Sequence, residues 1–499
     1  MAVVAELSDG GVELPEERRN LVYSRPDNPA YAQAEAMLAA LDGGVGAALF
    51  SSGMAAAAAM LGSLLKVGDR LVAPTYSYFA MREFFKEHCE KAGIVLKFFD
   101  SSQEGSLEAA IGVDNKTKLV WVETPANPSW TVTDIRRAAA AAHAQGASLC
   151  VDATVLTPLI CRPIEFGADF VMHSATKYLN GHSDVVAGAI VTAENDAKWA
   201  AVKRFRALNG AVLGSFESWL LLRGMRTLHV RLRRQCESAM ILAKKLQSHP
   251  KVLHVLYPGL VTHPMHAISV EQQSGTQRHA GMFGGMMSIR VAGGAAAALE
   301  VLKLVRIWVP ATSLGGVESL IEHRATVEGP NSGTPDDLLR LSVGLEDVED
   351  LYYDLDNALT GKRNKRDRKP KTEHLAMTLI HDLRRGSNSG QWDAKPRSCV
   401  RGCKGLVPMA DRSTHCRVMG RHFCARSDGD FRDWLRAKFP EKVAQHGEAW
   451  LENKVQERPV LKWGNDVKQM EGLPHPPIIY SANGDAQGEV NEESSDGEE

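Results

Sequence analysis

The chain has 499 residues, of which 44% are hydrophobic and 24% are charged, and its formal net charge is −2. This length predicts about two to four domains, and the composition is typical of a globular protein, which excludes wholesale disorder and collagen-like or coiled-coil chains. The near-neutral charge gives no electrostatic reason to expect a nucleic acid as ligand, and eight cysteines are too few for a disulfide scaffold.

The N-terminal and apolar segments predict a protein of the cytoplasm. The first residues, MAVVAELSDGG, are acidic where a signal peptide would be basic. The longest apolar stretch, 55–65, is too short to span a bilayer and is typical of a buried helix. We therefore expect a cytoplasmic protein that binds neither nucleic acid nor membrane.

Short apolar segments alternate with helix-like segments through the first 200 residues. Seven strands are predicted, at 47–50, 70–73, 94–99, 118–122, 148–151, 170–172 and 189–191. Helix-like segments lie between several of them, for example at 55–66, 81–91 and 135–145. Continuous apolar strands separated by helices predict an α/β fold with a largely parallel sheet that is covered on both faces. Ligands of such sheets bind beyond the carboxyl ends of the strands.

The composition changes after a second, smaller α/β region that ends near residue 359. KRNKRDRKPK, at 362–371, has seven basic residues in ten, and the last fifteen residues contain seven acids and no base. Both runs are typical of solvated segments. A plain linker is the favoured interpretation of the basic run, and a nuclear-localisation or anion-binding role is the alternative.

The strand predicted at 170–172 leads directly into a group of polar side chains. In FVMHSATKYLNGHSD, the hydroxyl residues Ser174 and Thr176 flank Lys177. Two hydroxyls beside an amine can hold a phosphate next to a reactive nitrogen. A charged lysine at a buried strand end is costly, whereas an amine held as a Schiff base with an aldehyde is not. The alternative is a surface lysine whose amine reaches solvent.

Two other strand ends carry features that suit the same kind of ligand. Asp152 ends the strand of SLCVDATVLTP and could pair with the protonated ring nitrogen of pyridoxal phosphate, although such an acid is more often a cap or turn former. In LFSSGMAAAAAM, Ser52, Gly53 and Met54 begin an alanine-rich helix. The free N–H groups and the dipole of that helix favour a phosphate, although capped helices after strands are common.

Nine motifs in a fixed order extend this pattern from about residue 23 to residue 359. They are YSRPDNP (23–29), LDGG (41–44), FSSGMAA (50–56), ETPANP (123–128), DATVLTP (152–158), SATKYLNGHSDVVAG (174–188), LLLRGMRTL (220–228), SLGGVESL (313–320) and LLRLSVGLED (338–347). With them the chain resembles the cystathionine γ-synthase/γ-lyase family, the fold-type I pyridoxal-phosphate enzymes of cysteine and methionine metabolism.

The resemblance implies a fold-type I pyridoxal-phosphate transferase. Its large domain would hold a mostly parallel seven-stranded sheet, followed by a smaller C-terminal α/β domain and, in this chain, an extra appendage. The implied segments are a short N-terminal arm (1–30), a cofactor-binding domain (31–230) and a small domain (231–361). Beyond the resemblance, composition predicts a basic linker (362–390), a helical appendage with Cys and His (391–484) and an acidic tail (485–499). The resemblance also implies a homodimer or homotetramer with shared active sites.

The resemblance assigns roles to individual residues. Lys177 would be the Schiff-base lysine and proton shuttle, and Tyr78 the ring-stacking tyrosine and candidate base. Contacts to pyridoxal phosphate would come from Tyr23, Arg25, Ser52, Gly53, Met54, Tyr78, Asn127, Asp152, Thr154, Ser174, Thr176 and Lys177, with Tyr23 and Arg25 reaching the phosphate of a neighbouring subunit. Amino-acid substrates would contact Arg82, Asn127, Ser313, Glu318 and Arg340, with Arg340 on the α-carboxylate.

The resemblance favours cystathionine γ-synthase, which replaces the γ-substituent of an O-acylhomoserine with cysteine. Arg82 and Glu318 are the basis of this preference over cystathionine γ-lyase or an O-acylhomoserine sulfhydrylase. An alternative of another class is a non-catalytic cofactor-binding or regulatory protein with a tail that binds zinc or a partner. Two departures from the family pattern are Phe79-Ala80, where two glycines usually follow the tyrosine, and Ala153, which replaces a polar residue.

The C-terminal region contains a cluster of cysteines and histidines outside the resemblance. Cys399, Cys403, Cys416 and Cys424 lie within 26 residues, together with two histidines. Thiolate and imidazole suit the tetrahedral preference of zinc, so a zinc site is one hypothesis. The spacing matches no common zinc finger, and unliganded cysteines in a small helical add-on are the alternative.

Overall fold

The computed structural model describes residues 23–274, 281–329 and 332–361, and two short strands at 416–418 and 421–423. The chain divides into two compact units, Met1–Ile380 and His381–Glu499. The division falls within the segment 362–390 that we predicted as a basic linker. Within the described residues, the first unit contains two sheets and the second contains one hairpin.

The larger sheet of the first unit has seven strands. They are β1 (Gly46–Phe50), β2 (Arg70–Pro74), β3 (Val95–Phe99), β4 (Thr117–Glu123), β5 (Ser148–Asp152), β6 (Phe170–His173) and β7 (Gly188–Thr192). Their order is β1-β7-β6-β5-β4-β2-β3, and β7 is antiparallel to both of its neighbours while the other pairs are parallel. The mostly parallel seven-stranded sheet is therefore confirmed, and each predicted strand agrees with the observed one to within a residue at either end.

Nine helices accompany this sheet in the described part of the chain. They are α1 (Pro29–Asp42), α2 (Gly53–Leu64), α3 (Phe79–Ala92), α4 (Ser106–Ile111), α5 (Ile135–His143), α6 (Thr157–Ile160), α7 (Ala197–Asn209), α8 (Ser215–Met225) and α9 (Leu228–Gln247). Their starts follow local chemistry: the side chains of Asn28 and Asp134 accept backbone N–H bonds at the first turns of α1 and α5. A glycine with φ of 74°, Gly43, ends α1.

The two faces of the large sheet pack against separate apolar clusters. Alternate residues of one strand point to opposite faces, so Val120 and Val122 join one cluster while Leu119 and Trp121 join the other. All four side chains are fully buried. Burial on both faces explains why the strands are continuous apolar runs rather than alternating ones.

The second sheet of this unit is smaller and mostly antiparallel. Its strands are β8 (Val252–Leu256), β9 (Met286–Val291), β10 (Val309–Pro310), β11 (Leu320–His323) and β12 (Leu338–Ser342), in the order β10-β11-β12-β9-β8. Its helices are α10 (His266–Ser274), α11 (Gly294–Leu304), α12 (Arg324–Glu328) and α13 (Val348–Leu359). This region confirms the smaller C-terminal α/β domain.

One long helix connects the two sheets. The first half of α9 places Leu228 and Leu232 in the core of the large sheet, and its second half places Leu242 and Leu246 in the core of the small sheet. The predicted boundary between residues 230 and 231 therefore falls inside a continuous helix.

Little of the predicted appendage lies among the described residues. The hairpin of the second unit pairs β13 (Cys416–Val418) with β14 (Arg421–Phe423) in antiparallel register. Cys399, Cys403 and Cys424 lie outside the described residues, and Cys416 is described only as strand backbone. The zinc hypothesis therefore stays a prediction.

The described helices also bear on the membrane question. In the part of the chain that the structure describes, no helix is both long enough and apolar enough to cross a bilayer.

Candidate active site

A cavity of about 320 Å³ lies beyond the carboxyl ends of the central parallel strands. This is the edge of an α/β sheet at which ligands bind. The residues that line the cavity come from both the large and the small domain: Ser52, Gly53, Met54, Tyr78, Met81, Glu123, Pro125, Asn127, Asp152, Thr154, Val155, Met172, Ser174, Thr176, Lys177, Val186 and Leu314. Ten of the residues that the sequence singled out are among them.

Lys177 lies in the loop that follows β6, with its amine directed to the small domain. Its Nζ lies 3.0 Å from Ser313 Oγ. Ser313 has a φ of 111°, a strained value for a residue other than glycine, and such strain is often found at functional sites. Burial, reinforced by the positive charge of Arg340, lowers the pKa of Lys177 to about 8. The surroundings thus favour an uncharged, nucleophilic amine.

Asp152 ends β5 on the neighbouring strand and is almost completely buried. Its Oδ1 accepts hydrogen bonds from Thr154 Oγ1 at 2.6 Å and from the Thr154 N–H at 3.0 Å. Thr154 Oγ1 in turn accepts the N–H of Ser174 at 2.8 Å, which ties the loops after β5 and β6 together. Burial raises the pKa of Asp152, and the hydrogen bonds from Thr154 partly oppose that shift. A cationic partner in the cavity would stabilise the carboxylate.

The start of α2 forms the opposite side of the cavity. Ser52 caps the helix through a 3.0 Å bond from the Ala55 N–H, while Gly53 and Met54 line the cavity with the first turn. Glycine at the start of β7 allows this approach, because a Cβ on Gly188 would lie only 2.1 Å from the Ser52 carbonyl oxygen. Backbone N–H groups at such a helix start bind anions, phosphate among them.

A buried glutamate, to which the sequence assigned no role, organises the remaining wall of the cavity. Glu123 ends β4, and its two carboxyl oxygens accept the N–H of Tyr78 at 2.8 Å and the N–H of Asn127 at 2.9 Å. Burial, and the nearby charge of Asp152, raise the pKa of Glu123. The only signal in the sequence was an acid at the end of an otherwise apolar strand, within the motif ETPANP.

Arg340 joins the cavity to the small domain from β12. Its Nη2 donates to the Ser313 carbonyl oxygen at 2.7 Å and lies 2.6 Å from Glu322, and its Nη1 lies 3.4 Å from Asn127 Oδ1. The side chain is almost fully buried, and burial lowers its pKa to about 10. A guanidinium beside Asn127 and Ser313 can bind a carboxylate in the cavity.

Besides Ser313 and Arg340, which contact the cavity residues Lys177 and Asn127, four residues that the resemblance placed at the site do not line this cavity. Tyr23 is mostly exposed, and Arg25 donates through Nη1 to the Ala207 carbonyl oxygen while its guanidinium lies over the Tyr23 ring. Glu318 accepts a 2.7 Å bond from Ser183.

Arg82 is the fourth of these residues and points to the small domain. It donates through Nη1 to the Thr75 carbonyl oxygen at 3.2 Å, and its Nη2 lies 3.4 Å from Glu328. Arg82 and Glu318 are therefore held by protein groups, and neither lies directly on the cavity.

The arrangement defines a class of protein. A nucleophilic lysine and a buried acid lie on adjacent strands of one sheet, beside a helix start that suits a phosphate. Pyridoxal phosphate fits these groups, because its aldehyde, protonated ring nitrogen and phosphate match the amine, the acid and the N–H groups in turn. The fold and site are those of a fold-type I pyridoxal-phosphate enzyme.

The chain belongs to the family described as Cys/Met metabolism PLP-dependent enzymes, whose model matches residues 5–360. It is therefore an enzyme of sulfur amino-acid metabolism with pyridoxal phosphate as cofactor. Residues 361–499 lie beyond the match.

Several named relatives resemble the chain over most of their length. Cystathionine gamma-synthase of Mycobacterium tuberculosis is 41% identical over 349 residues, or 68% of this chain and 87% of the relative. L-methionine gamma-lyase of Pseudomonas deceptionensis is 39% identical over 346 residues, or 68% of this chain and 84% of the relative. The crystal structure of cystathionine gamma synthase from Xanthomonas oryzae pv. oryzae in complex with aminoacrylate and cysteine has a TM-score of 0.66 at 39% identity, covering 70% of this chain and 89% of that one. These names include synthase and lyase, so likeness alone does not choose between replacement and elimination.

Proposed function

We propose that the chain is a cystathionine γ-synthase, which replaces the acyloxy group of an O-acylhomoserine with the sulfur of cysteine. In this reaction the Cγ–O bond breaks and a Cγ–S bond forms, and the thiol proton leaves with the released carboxylic acid. The observation that carries the enzyme assignment is that Lys177 and Asp152 follow or end adjacent strands and line the same cavity. The relatives named as synthases support the choice of γ-replacement.

The side chains that line the cavity would have different roles in the reaction. When bound, pyridoxal phosphate withdraws electrons from the substrate α-carbon and makes its proton acidic. Lys177 Nζ would accept that proton and then the β-proton, since its lowered pKa suits a base near neutral pH. Asp152 would keep a proton on the ring nitrogen, because a buried carboxylate favours a cationic partner.

The other residues would bind and orient. Arg340 would hold the substrate α-carboxylate, with Asn127 and Ser313 beside it. Tyr78 would stack on the cofactor ring and exchange a proton with the group that enters or leaves at Cγ. Ser52, Gly53, Met54, Ser174 and Thr176 would hold the phosphate, with Thr154 beside Asp152.

We also propose a homodimer or homotetramer. Tyr23 and Arg25 lie near the start of the described chain and do not line the cavity of their own subunit. Both would instead contact the phosphate in a second copy. A symmetric assembly would allow each copy to complete the site of the other.

An assay with two sets of substrates tests the proposed reaction. The full chain, loaded with pyridoxal phosphate, is given O-acetyl- or O-succinylhomoserine with cysteine, and in a second reaction cystathionine alone. We expect cystathionine from the first mixture and little 2-oxo acid from the second. A Lys177→Ala variant is the matched control and should be inactive in both.

The assay also separates the second candidate, γ-elimination, which the relative named as an L-methionine gamma-lyase supports. Release of 2-oxo acid and ammonia from cystathionine or methionine, without cystathionine synthesis, would replace the synthase assignment. No turnover in either mixture would contradict the whole substrate assignment.

A further inference from the structure

Five charged side chains, four of them buried, form a chain of ion pairs beside the cavity. Arg82 on α3 lies 3.4 Å from Glu328 on α12, and Glu328 also pairs with Arg324 at the start of the same helix. Arg324 Nη1 lies 2.9 Å from Glu322 on β11, and Glu322 lies 2.6 Å from Arg340. We call these five residues the arginine–glutamate chain. It connects the large domain to the candidate carboxylate-binding arginine.

Four members of the arginine–glutamate chain are shielded from water, so their charges interact strongly, and the fifth, Arg82, is 17% exposed. The side chains of Glu328 and Arg324 are each 1% exposed, that of Arg340 is 4% and that of Glu322 is 5%. Three arginines and two glutamates leave one positive charge in excess. A negatively charged ligand in the adjacent cavity would balance that charge.

The excess positive charge of the arginine–glutamate chain depends on Arg324. Glu322 lies close enough to Arg340 to neutralise it, but the same oxygen, Oε2, also accepts from Arg324. Without Arg324 the two remaining arginines would be matched by the two glutamates. The positive charge of Arg340 would then already be balanced by Glu322, so Arg340 would attract a ligand carboxylate less strongly.

We propose that Arg324 is a positioning residue that sets the affinity of the site for a substrate carboxylate, by competing with Arg340 for Glu322. This inference rests on the proposed function, in which Arg340 binds the α-carboxylate. It adds a residue that does not line the cavity and to which none of the sequence motifs assigned a role.

Arg324 also supports the wall of the cavity that bears Tyr78. Its guanidinium lies 5.8 Å from the centre of the Phe79 ring, and the Phe79 ring packs edge-on against Tyr78 at 5.1 Å. Phe79 stands where the family usually has glycine, so this aromatic support belongs to the present chain. A test must therefore separate the effect of charge on Arg340 from a general disturbance near Tyr78.

The test compares two small amines on the loaded enzyme, through the change in visible absorbance of the cofactor. Glycine carries a carboxylate and ethylamine does not, so only glycine binding depends on Arg340. In Arg324→Met we expect the Kd for glycine to rise about tenfold or more, because the buried positive charge that balances Glu322 has been removed. The Kd for ethylamine should stay within about threefold of the unmodified value. The control, Arg290→Met, removes an arginine of the same sheet that pairs with Asp337, and it should leave both values unchanged.

A second substitution tests the charge balance directly. Arg324→Met combined with Glu322→Gln restores one excess positive charge, so glycine affinity should return to within about threefold of the unmodified enzyme. If Arg324→Met does not fold, Glu322→Gln alone tests the same charge balance. It removes a negative charge beside Arg340 and should therefore tighten glycine binding.

Three results would overturn the proposal. They are an equal loss of glycine and ethylamine affinity in Arg324→Met, a double variant as weak as the single one, and weaker glycine binding in Glu322→Gln alone. An unmodified enzyme that binds glycine no better than ethylamine would instead contradict the proposed role of Arg340. The failure of the two proposals is therefore distinguishable.

Discussion

At the scale of the residue, Lys177 shows how burial prepares a functional group. Its amine is partly buried, next to Arg340 and within hydrogen-bonding distance of Ser313. Each of the first two features disfavours the ammonium form, so the amine becomes neutral at a lower pH than an exposed lysine. That neutral form is the one that can attack an aldehyde.

This leads to a pH prediction for cofactor capture. The rate at which the cofactor-free protein takes up pyridoxal phosphate should rise with pH below about 8 and become level above it, because the pKa of Lys177 is lowered to about 8. Stopped-flow absorbance between pH 6 and 10 would measure it. A rate that still climbs towards pH 10 would mean that Lys177 has an ordinary lysine pKa.

Glu123 gives a second prediction at this scale. Replacing Glu123 with Gln leaves an amide group facing one of the two backbone N–H donors, at Tyr78 or Asn127. We expect a loss of about 1–3 kcal/mol in the free energy of unfolding, because one buried donor loses its acceptor. Urea denaturation of the cofactor-free protein would measure the loss, with the surface variant Glu300→Gln as the control.

The same variant should change the pH dependence of stability. A carboxyl whose pKa is raised on folding binds more protons in the folded state, so its contribution to stability falls as pH rises through the raised pKa. Glu123→Gln should flatten the fall in stability above about pH 4.5. An unchanged slope would show that Glu123 is ionised in the folded protein.

At the scale of the element, the start of α2 depends on the strand that passes it. Gly188 begins β7, and a side chain there would collide with the Ser52 carbonyl oxygen. The close approach holds the first turn of α2 against the loop after β6. It brings the helix start and Lys177 to the same cavity.

We therefore expect Gly188→Ala to weaken cofactor binding. The added Cβ must push the first turn of α2 away, which should raise the Kd for pyridoxal phosphate about tenfold or more, since backbone N–H groups there hold the phosphate. Gly146→Ala is the control, because its Cβ meets nothing within 4 Å and adds only strain at a φ of 63°. Equal affinities for the two variants would argue against a phosphate at α2.

The strands could be predicted well because parallel strands covered on both faces must be continuous apolar runs. That rule locates β4, β5 and β6, and the polar residues that follow them are the ones that line the cavity. The sequence therefore singled out Asp152 and Lys177, and the structure places both on the cavity. The helix α9 was harder to assign, because its two halves serve different cores.

Contacts between distant parts of the chain could not be predicted in this way. Arg82 and Glu328 are 246 residues apart, and only the folded small domain brings them together. Long charged side chains can reach several partners, so neither the sequence nor the resemblance could show that Arg82 pairs with Glu328. Arg324 was missed for the same reason.

At the scale of the whole molecule, the cavity exists because two domains meet across one helix. α9 contributes to the cores of both sheets, which holds β12 and Arg340 opposite the strand ends of the large sheet. Lys177 from one domain and Ser313 from the other are in hydrogen-bonding contact. The proposed reaction therefore needs residues of both domains, and Lys177 supplies the reacting amine.

Chemical trapping of the cofactor tests this central claim most directly. The enzyme loaded with pyridoxal phosphate is reduced with borohydride and digested, and the peptide that carries the cofactor is identified by mass spectrometry. We predict a single modified site, Lys177, with no modified peptide in Lys177→Ala. Modification of another lysine, or equal labelling of many, would contradict the active site described for this enzyme.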